Sequence, residues 1–493
     1  MKIAIKVIIL ALAASVLFSC AQEQIAVSDT TASVEATTAE SSRELSERER
    51  NIASYNYPNI NYDGYVFKIA LRGEEGGNGY YDSYDIVCEE ASADPVLDGV
   101  YKRNREIEDR FGITIKGIFV GDTSAAVRKS VSSGDHAYDI GFQQLRSSHT
   151  LALNGVLVDM RTVDSLDLSN PWWDQTILHD TSIMNKSMYA TGDITVVDNY
   201  GTWIMMYNKK LQKDFNVPDL YALVRSGEWT FEKLSELMKL SIEDLNGDGK
   251  ISKEDRVGMA TSTDSIRNFF FSSGSRIIGK DANDLPFNAL DTVQTINNIE
   301  LIDKVFNPPA KCVVLTDETG SWENTQAMFT EDRALFYAEV MLHVQSIREM
   351  ESDFGILPLP KASVEQERYY TSAHEMASAA VFIPVGHDGE SLERAGYITE
   401  ALAWGGLKYV TPAYYDIALK SKYARDDESA EMLDIILAGR SADLGYIANL
   451  GNALEQIVQG VVKKSGDFAS RIEKTRAQME KAINSLITKY EGL

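Results

Sequence analysis

The chain has 493 residues, with 73 Asp and Glu against 48 Lys and Arg, for a formal net charge of −25. That length exceeds what one core serves, so two lobes or domains are expected, and the acidity excludes a nucleic-acid binder, which needs a basic face. Eleven Pro and 33 Gly exclude a fibrous or wholly disordered chain, and three Cys exclude a disulfide scaffold.

Lys2 and Lys6 precede an apolar run from Val7 to Phe18. The run is too short to span a bilayer, which takes about 20 residues. It has the length of a signal-peptide core. It ends in Leu17-Phe18-Ser19-Cys20, which resembles the bacterial lipoprotein box, where the Cys is diacylated and becomes the mature N-terminus. Residues 1–19 are therefore expected to be a lipoprotein signal peptide, with Cys20 the lipidation site. Cleavage there removes Lys2 and Lys6 and no acid, taking the formal charge from −25 to −27. Residues 20–50 are rich in Ala, Ser, Thr and Glu and hold no aromatic residue. Such a segment buries too little apolar surface to order itself and is expected to be a disordered tether with a reach of about 30 Å. Together these predict a protein held at the extracytoplasmic face of a cell membrane by lipid. Cys88 and Cys312 stand in apolar, strand-like contexts and are expected to be free and buried.

The body alternates strand and helix. YVFKIAL (65–71) is a short apolar run of strand type. Residues 94–111 read as a helix: Val96, Val100, Ile107 and Phe111 form an apolar stripe, Pro95 suits the first turn and Gly112 ends it. ITIKGIFV (113–120) is the next strand, 123–133 a helix and YDIGF (138–142) a strand. This rhythm predicts an α/β fold with mostly parallel central sheets flanked by helices. Ligands of such sheets bind beyond the carboxyl ends of the strands. The segment after YDIGF, Gln143-Gln144-Leu145-Arg146, is therefore expected to face a crevice. Further on, Trp229 is expected to be structural, and Thr230 is the expected N-cap of a helix running to about residue 242.

The sharpest local motif follows at once. DLNGDGKISKED (244–255) matches the twelve-residue EF-hand loop. Asp244, Asn246 and Asp248 supply oxygens at positions 1, 3 and 5, and Gly249 makes the turn at 6. Lys250 offers its carbonyl at 7, Ser252 coordinates directly or through water at 9, and Asp255 closes at 12. Hard oxygen donors in this spacing suit Ca²⁺ as a structural ion. Asp in place of Glu at position 12 predicts weak affinity, with a Kd of about 10⁻⁴–10⁻³ M, as in extracellular modules.

Five further segments occur in a telling order. They are YDIGFQQLRSSHTLALNGVLVDM, MYATGDITVVDNYGTWIMMYNKKL, WTFEKLSELM, MFTEDRALFYAEV, and the pair FGILPLP and AVFIP. Behind a lipoprotein box, they resemble family 1 of the bacterial extracellular solute-binding proteins of ABC importers, and they are spread over most of the mature chain. In the fourth segment the family's glycine is replaced by Asp332-Arg333. The resemblance implies the type II periplasmic-binding-protein fold, with two α/β lobes joined by a hinge. The first lobe is expected from 60–194 plus about 384–440, the second from 195–383 plus about 441–493. It also implies a monomer that captures a small solute, commonly an oligosaccharide, between the lobes and delivers it to the permease subunits of an ABC importer.

Sugars are held by aromatic faces and planar polar side chains. By resemblance, loops after strands line the cleft, which nominates Gln143, Gln144 and Arg146 on one side. Asp193, at the crossing between lobes, and Trp203, in the crossover strand, join them. Glu339 and Met341 follow the strand ALFYA, His374 and Glu375 precede AVFIP, and Tyr446 occupies a late helical position. The pair Trp172-Trp173 is a further candidate platform. No catalytic motif is present: no H-E-x-x-H, no G-x-S-x-G and no P-loop, so a non-enzymatic protein is expected. A secreted glycosidase stands as an alternative, since 73 acids always permit a carboxylate pair. So does a surface adhesion or peptide-binding lipoprotein.

Overall fold

The structure, a computed structural model, describes residues 46–73, 83–415 and 426–493. Cys20, the signal segment and the tether up to residue 45 lie outside the described residues. The strands in chain order are β1 (Tyr65–Arg72), β2 (Ile113–Val120), β3 (Ile140–Gln144), β4 (Trp203–Asn208), β5 (Val257–Thr261), β6 (Ile278–Lys280), β7 (Pro286–Asn288), β8 (Val313–Leu315), β9 (Ala334–Val340), β10 (Phe354–Leu357), β11 (Thr371–Ser372), β12 (Ala379–Phe382) and β13 (Arg440–Ser441).

Two sheets organise residues 47–493. The first has the order β12-β3-β1-β2. β1 lies parallel to β2, Tyr65 opposite Ile113, and parallel to β3, Ile69 opposite Ile140. β12 runs antiparallel to β3, Val381 opposite Phe142. Phe67, Ile69 and Leu71 of β1 are buried, which is why this run is fixed as a strand. The second sheet has the order β10-β4-β9-β5-β8. β5 lies parallel to β8 and β9, while β4 is antiparallel to β9 and β10. Each lobe is thus a mixed sheet with a parallel part, flanked by helices.

The helix Pro95–Phe111 covers the first sheet. Asp94 caps it by accepting from the Val96 and Leu97 N–H groups, and Gly112 closes it. Its apolar stripe is buried as expected, but so is Arg103. That guanidinium donates to Ile86 O at 2.7 Å and Ile194 O at 3.1 Å. The buried Asp85 beside it accepts from Val196 N at 2.6 Å and Thr195 Oγ1 at 2.9 Å. These bonds tie the first lobe to the chain as it leaves for the second. In the second lobe Thr230 Oγ1 accepts from Lys233 N at 3.3 Å, capping a helix over Phe231–Leu237 that tightens to a 3₁₀ turn over Met238–Ser241.

Among the described residues the chain crosses between the sheets three times: before β4, between β11 and β12, and after the helix Gly389–Gly405. The first two crossings run side by side. His374 N donates to Gly201 O at 3.0 Å, and Thr202 bridges to Ala373. A Cβ on Gly201 would stand 2.7 Å from Ser378 Oγ and 3.0 Å from the Ala377 Cβ, so only glycine lets the two segments approach this closely. β13 joins them through β11, Thr371 opposite Arg440.

Several segments depart from the expected boundaries. β12 (Ala379–Phe382) belongs to the first sheet, so the return to the first lobe comes before residue 384. The helix Asp427–Ala438 packs on β10 of the second lobe rather than the first, with Ser429 Oγ accepting from Ile356 N at 3.1 Å. The tether is expected to reach residue 50, but a helix already spans Glu47–Ser54. Trp404 Nε1 donates to Ile52 O at 3.0 Å, and the rings of Tyr55 and Tyr57 lie 5.2 and 5.1 Å from Trp404. This aromatic dock orders the segment where its composition alone does not. Cys88 and Cys312 are both free, Cys312 buried and Cys88 half-buried. Asp332, where the sequence resemblance leads one to expect glycine, adopts φ 58°, the left-handed conformation a glycine takes freely. Its carboxylate accepts from Asn208 Nδ2 at 2.6 Å and Ser352 Oγ at 2.9 Å, which offsets that backbone cost.

Candidate functional site

In both sheets the carboxyl ends of parallel strands lie beside the start of an antiparallel strand. β3 ends at Gln144, where antiparallel β12 begins with Ala379 opposite. β5 and β9 end at Thr261 and Val340, where antiparallel β4 begins with Trp203 opposite Val340. The crossing segment 373–378 links these edges. A cavity of about 350 Å³, a size usual for small-ligand sites, opens between the second sheet's edge and the crossing segment at His374 and Ala377.

Trp203, Glu339 and His374, all nominated from the sequence, line this cavity. Trp322, His343 and Asp264, which the sequence reading misses, complete its chemistry. Trp322 opens the helix Trp322–Thr330 behind the Ser321 cap, and its ring meets His343 edge-on at 4.6 Å. Trp203 Nε1–H is buried and has no hydrogen-bond acceptor among the described residues. Glu339 is 6% exposed, and its Oε1 accepts from Val340 N at 3.0 Å. Burial nevertheless pushes its carboxyl up to about 7. Burial also pushes the His343 imidazole down to about 4 and lowers that of His374, so both rings are neutral at pH 7.

Five candidates lie beside the cavity. Arg146, in the helix Leu145–Leu153 that follows β3, donates to Glu375 Oε1 at 2.8 Å and to Tyr446 O at 3.3 Å. The His374 and Tyr446 rings lie 6.2 Å apart. Burial raises the Tyr446 phenol, and Glu375 adds to the shift. Gln143 is buried at the end of β3, donating from Nε2 to Ser124 Oγ at 3.4 Å and accepting from Gln144 N at 2.9 Å. Gln144 is half-buried beside it.

Four candidates lie elsewhere. Trp172 and Trp173 are 1% and 2% exposed, their indole N–H groups donate to Glu400 at 2.8 and 3.1 Å, and both line a second cavity together with Asp193. They belong to the core of the first lobe. Asp193 lines a separate cavity of about 180 Å³ near the third crossing, with Asp198, Tyr415 and Arg440. Its carboxyl is pushed up to about 7 by burial, against the Thr411 hydroxyl at 2.5 Å. Arg440 there bonds Asp198 at 2.6 Å and Asp174 at 3.0 Å, a buried ionic knot. Met341 is buried in apolar packing and accepts from the Tyr414 hydroxyl at 3.4 Å. Two peripheral cavities of the second lobe, one beside Phe306 and Lys311 and one beside Ser273 and Gln366, hold no tryptophan.

The loop 244–255 is folded in on its own oxygens. Asp244 accepts from the N–H groups of Gly247 at 2.7 Å and Gly249 at 2.8 Å, Asn246 from Asp248 at 2.9 Å, and Asp248 from Lys250 at 2.8 Å. Asp255 is buried and accepts from Leu245 N and Ser252 N, both at 2.9 Å, and from Ser252 Oγ at 3.0 Å. Gly249, at position 6, has φ 77° and makes the sharp turn. The ring of oxygen-bearing side chains is the donor type that Ca²⁺ takes. Among the described residues, no three His, Cys, Asp or Glu side chains converge as a ready metal cluster. The turn of the motif is therefore in place, while its carboxylates bond to the loop's own backbone and to Ser252.

No protein-family model matches the chain, and no curated protein does. Solved structures do. The ABC substrate-binding protein Lmo0181 of Listeria monocytogenes, in complex with cycloalternan, is 11% identical with a TM-score of 0.53, covering 86% of this chain and all 100% of its own. The apo form of RafE from Streptococcus pneumoniae is 12% identical with a TM-score of 0.53, covering 87% and 100%. The maltose/maltodextrin-binding domain MalE of Bdellovibrio bacteriovorus, bound to maltotriose, is 16% identical with a TM-score of 0.50, covering 85% and 100%. At such identities the likeness lies in the fold, and that fold is the two-lobed α/β architecture of ABC-transporter carbohydrate substrate-binding proteins.

Proposed function

We propose that the chain is a solute-binding protein that captures an oligosaccharide between its lobes and presents it to an ABC importer permease. The observation that supports this most is the cavity between the second sheet's edge and the crossing segment, lined by Trp203, Trp322, two histidines and the buried Glu339 carboxylate. Aromatic faces stack on the apolar faces of sugars, and the polar groups pair with hydroxyls. Two of the similar structures hold cycloalternan and maltotriose, which points the same way. Closure of the lobes then follows from contacts that a ligand makes only in the closed form. A thermal-shift screen of oligosaccharides tests the reading. A concentration-dependent rise in Tm with at least one sugar is expected, and no response to any small solute contradicts it.

The same proposal places the protein outside the cell, anchored by a diacylated Cys20. Cys20→Ser is expected to release it into the medium, and retention at the membrane contradicts the anchor. It also gives the 244–255 loop a structural Ca²⁺. Asp244, Asn246, Asp248 and Asp255 would hold the ion by side-chain oxygens, with the Lys250 carbonyl and Ser252 completing the set. Bound there, Ca²⁺ would staple the loop; no step of solute capture runs through it.

A further inference from the structure

The charge of the cavity has a consequence for which sugar it takes. The inference rests on reading this cavity as the solute site. Asp264 and Glu339 are its acidic lining residues, and no lysine or arginine is among the described residues that line it. The nearby cations are already paired. Arg267 bonds Asp264 and, at 2.6 Å, Glu455, while Arg146 bonds Glu375 at 2.8 Å. His343 and His374 are kept neutral by burial and supply no positive charge at pH 7. Glu339 is thus a buried acid whose charged form no basic side chain in the cavity wall compensates.

We infer that the cavity selects its sugar by charge, preferring one that carries an amino group over the uncharged sugar of the same shape and rejecting one that carries a carboxylate. An ammonium within hydrogen-bond reach of Glu339 forms a charge-assisted bond, which is stronger than a bond to a hydroxyl. The indole of Trp322, which lines the cavity, adds a cation–π attraction. A sugar carboxylate meets the opposite situation. It is stripped of water and brought beside Glu339, with no lysine or arginine in the cavity lining to pair with. Hydroxyl sugars stand between the two, since Glu339 accepts their hydrogens without a charge gain.

The test uses the full chain and isothermal titration. Neutral trisaccharides of different linkage first identify the scaffold that binds. On that scaffold the hydroxyl, amino and carboxylate forms are compared at neutral pH and low salt. The amino form is expected to bind about 10-fold tighter than the hydroxyl form, or about 1.4 kcal/mol. The carboxylate form is expected to bind at least as much more weakly. In Glu339→Gln the amino-to-hydroxyl ratio is expected to fall towards one, whatever the absolute affinities. High salt is expected to shrink the ratio in the natural chain, a reading that does not depend on the variant folding. If no sugar binds at all, the solute-site reading itself fails. If sugars bind and the carboxylate form equals or exceeds the hydroxyl form, the charge rule is overturned. A ratio unmoved by both Glu339→Gln and salt overturns it as well.

Discussion

Arg146 and Glu375 are joined at 2.8 Å, so a residue of the first lobe is bonded to the segment that crosses to the second. The Glu375 side chain is 7% exposed, while that of Arg146 is 37% exposed. Arg146→Ala strips the buried carboxylate of its partner and is expected to cost about 1–3 kcal/mol in urea denaturation. Glu375→Gln leaves a partly exposed guanidinium and is expected to cost less. Equal losses in both variants would mean that the pair is not what holds this corner.

Trp322 is the aromatic face in the cavity that is not sealed into the core. Trp322→Ala is expected to weaken oligosaccharide binding by at least about 2 kcal/mol, roughly 30-fold in Kd, with Tm unchanged within a few degrees. An affinity within a factor of two of the natural chain would remove Trp322 from the site.

Glu400 links pH to stability. It is 4% exposed and accepts from both indoles and from Asn170, yet burial pushes its carboxyl from 4.5 to about 7. Between these values the folded chain keeps a proton that the unfolded chain has lost. Its contribution is therefore full below pH 4.5 and is lost as pH rises through about 7. Glu400→Gln cannot titrate. Its deficit against the natural chain is expected to shrink by roughly 3 kcal/mol from acid to mildly alkaline pH. A deficit constant across that range would contradict the raised carboxyl.

Calcium at roughly ten to a hundred times its Kd is expected to add about 1–3 kcal/mol of stability through the 244–255 loop. Asp248→Ala should abolish the gain. A Tm that EDTA and added Ca²⁺ both leave unchanged would show that the loop binds no ion.

Much of this architecture is legible in the sequence. β1, β2 and the helix between them follow from buried alternation, an Asp cap and a closing glycine, all of which are local signals. The carboxyl-end rule places Arg146 beside the crevice because it needs only the order of strand and helix. Trp172 and Trp173 show where local reading fails. Their adjacency hides the fact that Glu400, more than two hundred residues on, accepts both N–H groups, which fixes the indoles in the wall of the smaller cavity beside Asp193. Trp322 and His343 are missed for the converse reason. Neither sits in a motif, and only the pairing of β9 with β4 and β5 brings their turns to one cavity. The tether's end is misplaced because the aromatic dock that orders Glu47–Ser54 lies at Trp404.

The central claim is that the cavity at Trp203 and Trp322 binds sugar without altering it. Tryptophan fluorescence during titration with oligosaccharides, followed by analysis of the recovered sugar, tests this most directly. The account predicts a saturable spectral change, absent in Trp322→Ala, with the sugar returned intact. A cleaved sugar, or no spectral response to any oligosaccharide, would contradict it.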